Sequence, residues 1–403
     1  MLSWDHTPSL EPMRCCRAWV EIDQSALRHN VQQIKALLSP QTQLMAVVKA
    51  DAYGHGAQSV AQVALQSGAS WLGVATVPEG IELRTAGIQA PIMVMGAINS
   101  TEEMTAVAHW RLQPTLVMPK QALMFSEALS QFGVTASRPL RAHLKLDTGM
   151  SRLGFPWNSA VEFVRFVRQL PYIEICSVYS HLATADSPDA AIMNQQHQRF
   201  KHAIQQLGQQ QLLPPRLHLA NTAATLVDAG LHYDMVRVGL GLYGLYPAPH
   251  LVSQVSLKPV MQVKARITHI KDVPAGTGVS YGHHYITQGP TRLAVVGIGY
   301  ADGVPRSLSN QMQVIIKGKL AQQIGAITMD QLMLDVTHIP NLQEGDIVTL
   351  LGHDGAYQIS ADDWARLTQT IAWEILCGFK HRLPRIATRQ STSVSPQSLG
   401  RGQ

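Results

Sequence analysis

The sequence predicts an α/β protein, a (β/α)8 TIM-type barrel over residues 17–250 followed by a mainly antiparallel β-domain over 251–388. Two observations carry that expectation. Eight apolar, β-branched runs alternate with amphipathic stretches as far as residue 250, and beyond Pro247 the chain changes to short strands set apart by turn signals. An open doubly wound sheet would show the same alternation, but the count of eight favours a closed barrel.

The runs are QLMAVVKA (43–50), WLGVAT (71–76), PIMVMG (91–96), LQPTLV (112–117), LRAHLKLDTG (140–149), IEICSVYSHL (173–182), RLHLANT (216–222) and MVRVGLGLYG (235–244). Helical periodicity between them is clear at 100–110, 157–170 and 194–211. Ahead of the first run, Asp23 is placed to cap a helix whose apolar stripe is Leu27, Val31, Ile34 and Leu38. The short strand Trp19–Asp23 falls outside the eight and is expected to pair with another sheet. After residue 250, strands are expected at 259–272, 292–299, 312–317, 332–337 and 346–351, punctuated by PAGTG, YADGVP and EGDI. One helix (360–370) follows, and the tail 389–403, rich in Ser, Gln and Arg, is expected to be mobile.

At 403 residues the chain can bury two cores, and 46% hydrophobic with 15% charged residues describes a folded globular protein. The net charge of +5 is scattered, with no run of like charges to grip nucleic acid. Cys15, Cys16, Cys176 and Cys377 form no CxxC pair, which suits a reducing compartment. No stretch approaches the roughly 18 apolar residues of a membrane span. Residues 1–14 lack the apolar core of a secretory signal. A cytoplasmic protein with neither nucleic acid nor membrane as partner is expected, and no metal site.

Lys49 ends the first barrel run. The C-terminal ends of barrel strands line the active site, so position makes this lysine a candidate. Beside Val47, Val48 and Ala50 its charged form is costly, and a neutral amine can form a Schiff base. A lone strand-end lysine would ordinarily snorkel to solvent. The following Tyr53-Gly54-His55-Gly56 instead describes a tight loop beside a ligand.

The segment AVVKADAYGHG (46–56) resembles the cofactor-lysine signature of the alanine racemases, and the resemblance runs from about residue 17 to 385 with motifs in the family's order. It implies a barrel with a C-terminal β-domain and pyridoxal 5'-phosphate on Lys49. The activity implied is interconversion of L- and D-alanine by two opposed bases, which supplies D-alanine for peptidoglycan.

The remaining roles follow from the same resemblance. In KLDTGMSRLG (145–154), Arg152 would contact the cofactor's phenolic oxygen and the substrate carboxylate, a task suited to a forked, permanently charged donor. Lys145 matches a lysine that family members often carry as a carbamate; an ion pair with Asp147 is the plainer alternative. In YSHLATAD (179–186), His181 would stand by the cofactor ring and reach toward the catalytic tyrosine, with Asp186 at the entrance. HLANTAA and VRVGLGLYG would bind the phosphate through the Thr222 hydroxyl and the backbone of Gly239 and Leu240, with Tyr53 reaching in from the lysine loop. Arg237 would face the pyridine nitrogen and, as a donor that keeps its proton, leave it unprotonated.

In the second domain GVSYGHHY carries Tyr281 as the second base. ITMDQ supplies Met329 as a backbone donor to the substrate carboxylate, with Asp330 in support. In the family these two segments come from the neighbouring subunit, so a homodimer with shared sites is expected.

Two departures stand out: His381 in KHRLPR where some racemases have a phosphate-binding tyrosine, and Ala326 where some have an arginine, leaving a less cationic entrance. Residues 239–244 also read G-x-G-x-x-G, but Tyr246-Pro247-Ala248-Pro249 follows instead of the helix that a dinucleotide fingerprint needs. Rival functions are a broader-specificity amino-acid racemase, a basic amino-acid decarboxylase, which would need a Gly-Gly-Gly run absent here, and a cofactor carrier, which would lack the β-domain.

Overall fold

A computed structural model of the chain describes residues 16–388 except 133, 134 and 136; the tail 389–403, Cys15 and residues 1–14 lie outside the described residues. Eight parallel strands form the barrel sheet: β2 (Gln43–Val47), β3 (Trp71–Val74), β4 (Ile92–Val94), β5 (Gln113–Leu116), β6 (Leu140–Asp147), β8 (Ile173–Tyr179), β9 (Leu217–His218) and β10 (Met235–Val238). The two-residue β7 (Phe155–Pro156) pairs with β6 off this ladder, and the strand β1 (Ala18–Asp23) lies elsewhere. The ladder runs from β10 through β2 round to β9. Between its ends, Asp234 N–H donates to Leu217 O at 3.1 Å and Arg237 N–H to Ala220 O at 3.0 Å, which nearly close it. Strands β3, β5 and β10 are buried throughout, as strands covered on both faces must be.

The predicted runs contain all eight strands but overshoot at their C-terminal ends. Those extra residues, such as Lys49 and His181, carry the apolar run into the loops that line the site. The helices at 101–109, 160–168 and 191–209 lie where periodicity placed them.

The second sheet closes on itself through strand pairing. Strands β11 (Met261–Val273), β14 (Thr291–Val296), β17 (Leu332–Asp335), β16 (Lys319–Ile324), β15 (Gln313–Ile316) and β18 (Ile347–Asp354) pair antiparallel in that order, and β18 returns to β11. Closure removes the exposed edges that a six-stranded open sheet would carry. A small hairpin of β12 (Gly278–Val279) and β13 (Tyr285–Ile286) projects from it, and β19 (Tyr357–Ile359) extends β18.

The strand expected to lie outside the eight joins this second sheet. β1 pairs antiparallel with β11 (Trp19 opposite Lys264) and parallel with β20 (Arg385–Thr388; Glu21 opposite Ile386). Asp23 then caps the helix Gln24–Ala36 by accepting the Ser25 and Ala26 N–H groups. The buried Asn30 ties that helix to the junction of the two domains, donating to Leu242 O and Lys258 O and accepting from Lys258 N–H.

Six strands and a helix were not foreseen: the short β7, β12 and β13, then β16, β19, β20 and Ala372–Gly378. β16 reads KLAQQI, whose Gln323 is fully buried through bonds to Ile324 O and Gly325 O, so a polar letter occupies a core position. The helix spans only two turns, too short for its period to register.

Candidate active site

The C-terminal ends of the barrel strands open onto a cavity of about 640 Å³. Lys49, Tyr53, Lys145, Arg152 and His181 line it, as do Thr222, Arg237, Gly239 and Leu240, with Asp186 among them. Sequence reasoning thus named ten residues from five strand ends that the fold brings together.

Lys49 opens a turn of uncommon backbone. Ala50, Asp51, Ala52 and Tyr53 have φ between 52° and 55°, a left-handed stretch with no glycine. Each such residue costs about 1–2 kcal/mol, so neighbours must hold the turn. Glu79 accepts the Ala50 N–H at 2.7 Å and Arg385 donates to Gly54 O at 3.1 Å. Gly54 has φ +83°, and a Cβ there would lie 2.4 Å from Leu376 O, so no other residue fits. The Lys49 amine is shifted down, first by burial and then by the Arg152 charge, with Glu79 opposing.

Arg237 is buried and spans the floor of the site. It donates to His218 Nδ1 (2.9 Å), His181 Nδ1 (3.2 Å), Ser180 O and Leu219 O, and no carboxylate partners it among the described residues. Burial lowers its pKa to about 10, which leaves it charged at neutral pH. Because arginine only donates, both histidines accept at Nδ1 and carry their proton on Nε2. His218 Nε2 then donates to Ser177 Oγ, which donates to His143 Nδ1, whose Nε2–H donates to Gln113 Oε1. Burial and the Arg237 charge hold His181 and His218 well below their ordinary pKa, so both stay neutral.

Lys145 lies across from Tyr179 in the β6–β8 register, its Nζ 5.5 Å from that ring. The ion pair with Asp147 does not form, because Asp147 Oδ1 accepts the N–H groups of Gly149, Met150 and Ser151 instead. Burial and the charges of Arg237 and Arg152 lower the Lys145 amine to about 8.

At the far end, Thr222 opens the helix Thr222–Val227 and Leu240 opens the turn Leu240–Tyr243. Such N-termini offer free N–H groups to an anion. Gly239 N–H donates to Thr222 Oγ1, and a Cβ on Gly239 would lie 2.6 Å from Tyr53 Oη. Gly244, with φ +81°, turns the chain where the dinucleotide pattern would need a helix.

Tyr281 and Met329 are not brought to this cavity. Tyr281 is 75% exposed and Met329 54% exposed, both on the second domain. They share one face, since Ser280 Oγ donates to Ala326 O at 2.7 Å, joining the tyrosine turn to the ITMDQ segment. Ala326 itself is buried. Asp330 pairs with Arg382, which also approaches Asp302. His381 is exposed and is not among the residues lining the cavity.

Several lining residues escaped the sequence. Tyr179 stacks on His218 with ring centroids 4.7 Å apart; its spacing of two from His181 along a strand end was the available signal. Trp373 and Cys377 enter from the unforeseen helix Ala372–Gly378. Asn221 lines the cavity as well, and Glu79 and Arg385, which bind the Lys49 turn from outside the cavity lining, carried no local signal.

Residues 22–247 match the alanine racemase N-terminal domain family and residues 260–387 the alanine racemase C-terminal domain family. An alanine racemase of Nostoc sp. is 65% identical over 370 residues (92% of this chain, 95% of the relative), and one of Synechocystis sp. is 61% identical (92% and 98%). Among solved structures, alanine racemase of Clostridium difficile 630 superposes with a TM-score of 0.88 at 33% identity, covering 93% of this chain and 96% of its own. That of Bartonella henselae with covalently bound pyridoxal phosphate gives 0.80 at 29% identity, covering 93% and 100%. The chain belongs to the alanine racemase family of amino-acid racemases.

Proposed function

We propose that the protein interconverts L- and D-alanine in the cytoplasm with pyridoxal 5'-phosphate held on Lys49, as a homodimer whose subunits share their sites. The carrying observation is the cavity itself. A lysine with a lowered pKa, Arg152, which has no ion-pair partner among the described residues, the buried Arg237 and an anion cradle of Thr222, Gly239, Leu240 and Tyr53 line it together. These residues fit that cofactor. Amine, phosphate ligands and ring partner are all present, and bare backbone at Gly239 leaves room for the Tyr53 hydroxyl.

When bound, the cofactor supplies an electron sink for the substrate Cα–H bond. Arg152 binds the substrate carboxylate and the cofactor's phenolic oxygen. Arg237 faces the ring nitrogen as a donor that does not release its proton. Lys49 Nζ takes or returns the Cα proton on one face. Tyr281 of the partner subunit serves the opposite face, and the partner's Met329 donates its N–H to the carboxylate. The exposure of both residues on one face of the second domain supports that sharing, because neither completes the cavity of its own chain. His181, protonated at Nε2, is a donor available to the Tyr281 oxygen. A neutral Lys145 amine can take up carbon dioxide as a carbamate, an anion beside Arg152.

Borohydride reduction followed by peptide mapping tests this. The cofactor should be recovered on Lys49, and recovery on another lysine would overturn the assignment.

A further inference from the structure

We propose that Glu79 and Arg385 are positioning residues for the reaction. They clamp the left-handed turn that carries Lys49 from two sides, so that Lys49 and Tyr53 face the cavity together. The inference rests on the role of Lys49 proposed above.

Four consecutive residues without a glycine do not keep φ near 50° unaided. Sequence offers no reason for the conformation, since Ala50 and Ala52 favour ordinary helix. The cause lies in long-range bonds. One Glu79 oxygen accepts the Ala50 N–H at 2.7 Å; the other accepts the Ala75 and Thr76 N–H groups at 2.7 and 3.1 Å. A single carboxylate therefore ties the lysine turn to the end of β3, and a charged acceptor makes these bonds stronger than neutral ones.

Arg385 acts from the opposite side, on β20 of the second sheet. Its Nε and Nη2 donate to Gly54 O, Nη2 to Phe379 O and Nη1 to Leu383 O and Lys380 O, and Asp51 Oδ2 lies 3.7 Å away. Five N–H groups in a fixed fork suit one side chain to several carbonyls. Arg385 thereby joins the lysine turn to the segment whose Trp373 and Cys377 wall the cavity. Within the turn, Asp51 Oδ1 accepts the Ala57 N–H and fixes the exit into the helix Ala57–Gln66. Neither Glu79 nor Arg385 lines the cavity. They act on the reaction through Lys49 and Tyr53.

The test uses Glu79→Gln, Glu79→Ala and Arg385→Lys. Amide hydrogen exchange of residues 50–56 is measured on the chain freed of cofactor, and pyridoxal 5'-phosphate affinity is measured by quenching of tryptophan fluorescence. Exchange at 50–53 should accelerate in every variant while the strands β2 and β3 keep their protection. Cofactor affinity should fall about tenfold or more, in line with loss of a charge-assisted bond to an otherwise unfavourable turn. The pH midpoint of the bound cofactor's absorbance should drop in both Glu79 variants, since each removes the carboxylate that opposes the lowering of the Lys49 pKa. Purely structural damage would not move that midpoint in a defined direction. Unchanged exchange at 50–53, or accelerated exchange with unchanged affinity and midpoint, overturns the clamp. Accelerated exchange in variants whose cofactor is fixed by borohydride at another lysine would leave the clamp standing and refute the role of Lys49 instead.

Discussion

Replacing Gly239 by alanine probes the anion cradle through one contact. A Cβ there would lie 2.6 Å from Tyr53 Oη and 3.1 Å from Cζ. Ordinary contact begins near ~3.5 Å, so the Tyr53 ring must withdraw by roughly 0.9 Å. Withdrawal is resisted by Tyr243, whose ring lies 4.9 Å away and whose hydroxyl is held by Val47 O at 2.9 Å. Gly239 has φ −114°, so no left-handed penalty contributes and the effect is steric. Overpacking on this scale costs roughly 1–3 kcal/mol, and cofactor affinity should fall by about one to two orders of magnitude. Titration of the cofactor-free variant with pyridoxal 5'-phosphate measures it. Tyr53→Phe removes the oxygen at 2.6 Å, so Gly239→Ala should cost less in the Phe background, with a coupling above about 0.5 kcal/mol. Equal costs in the two backgrounds, or undiminished affinity in the single variant, would refute the steric argument.

Three further outcomes are expected. Lys49→Ala and Tyr281→Phe proteins, each inactive, should regain racemase activity when their subunits exchange, because one of the two shared sites is then intact; verified exchange without recovery would mean that each chain builds its own site. The part of the stability set by two buried histidines should be constant above pH 7 and fall below pH 6.5. Burial holds His143 at about 3 and His55 at about 4, whereas both take up a proton near 6.5 once unfolded. Each therefore costs about 2 kcal/mol by pH 5, and a denaturant midpoint constant from pH 5 to 8 would contradict their burial as neutral groups. With Lys145 at about 8, roughly a tenth of its amine is neutral at pH 7. Carbon-13 bicarbonate should then give a carbamate resonance that disappears in Lys145→Ala; its persistence would place the adduct elsewhere.

Much of the fold was legible because periodicity and burial agree. Eight buried strands must read as apolar runs, and the helices between them must show one apolar face. The ends of those runs also marked the site, since barrel chemistry collects at strand C-termini and Lys49, Lys145, His181 and Arg237 are polar residues set within otherwise apolar stretches. The loops were harder. Nothing local forces Ala50 to Tyr53 into left-handed backbone, and Glu79 is 29 positions from the amide it binds, Arg385 331 from its carbonyl. The count of eight set strand β1 outside the barrel, but nothing local named β11 and β20 as its partners.

By itself the sequence determined the kinds of elements, their order, and the residues able to do chemistry at the ends of the barrel strands. These follow from side-chain type and short-range spacing, which every residue carries with it. Tertiary structure alone decided which groups meet. Asp147 turns to its own loop and leaves Lys145 beside Tyr179; Arg237 binds two histidines and so sets which of their nitrogens holds the proton; Tyr281 and Met329 stand outside the cavity of their own chain. Hydrogen bonds and steric contacts act over a few ångströms in space, whereas the residues that make them are separated by tens to hundreds of positions along the chain.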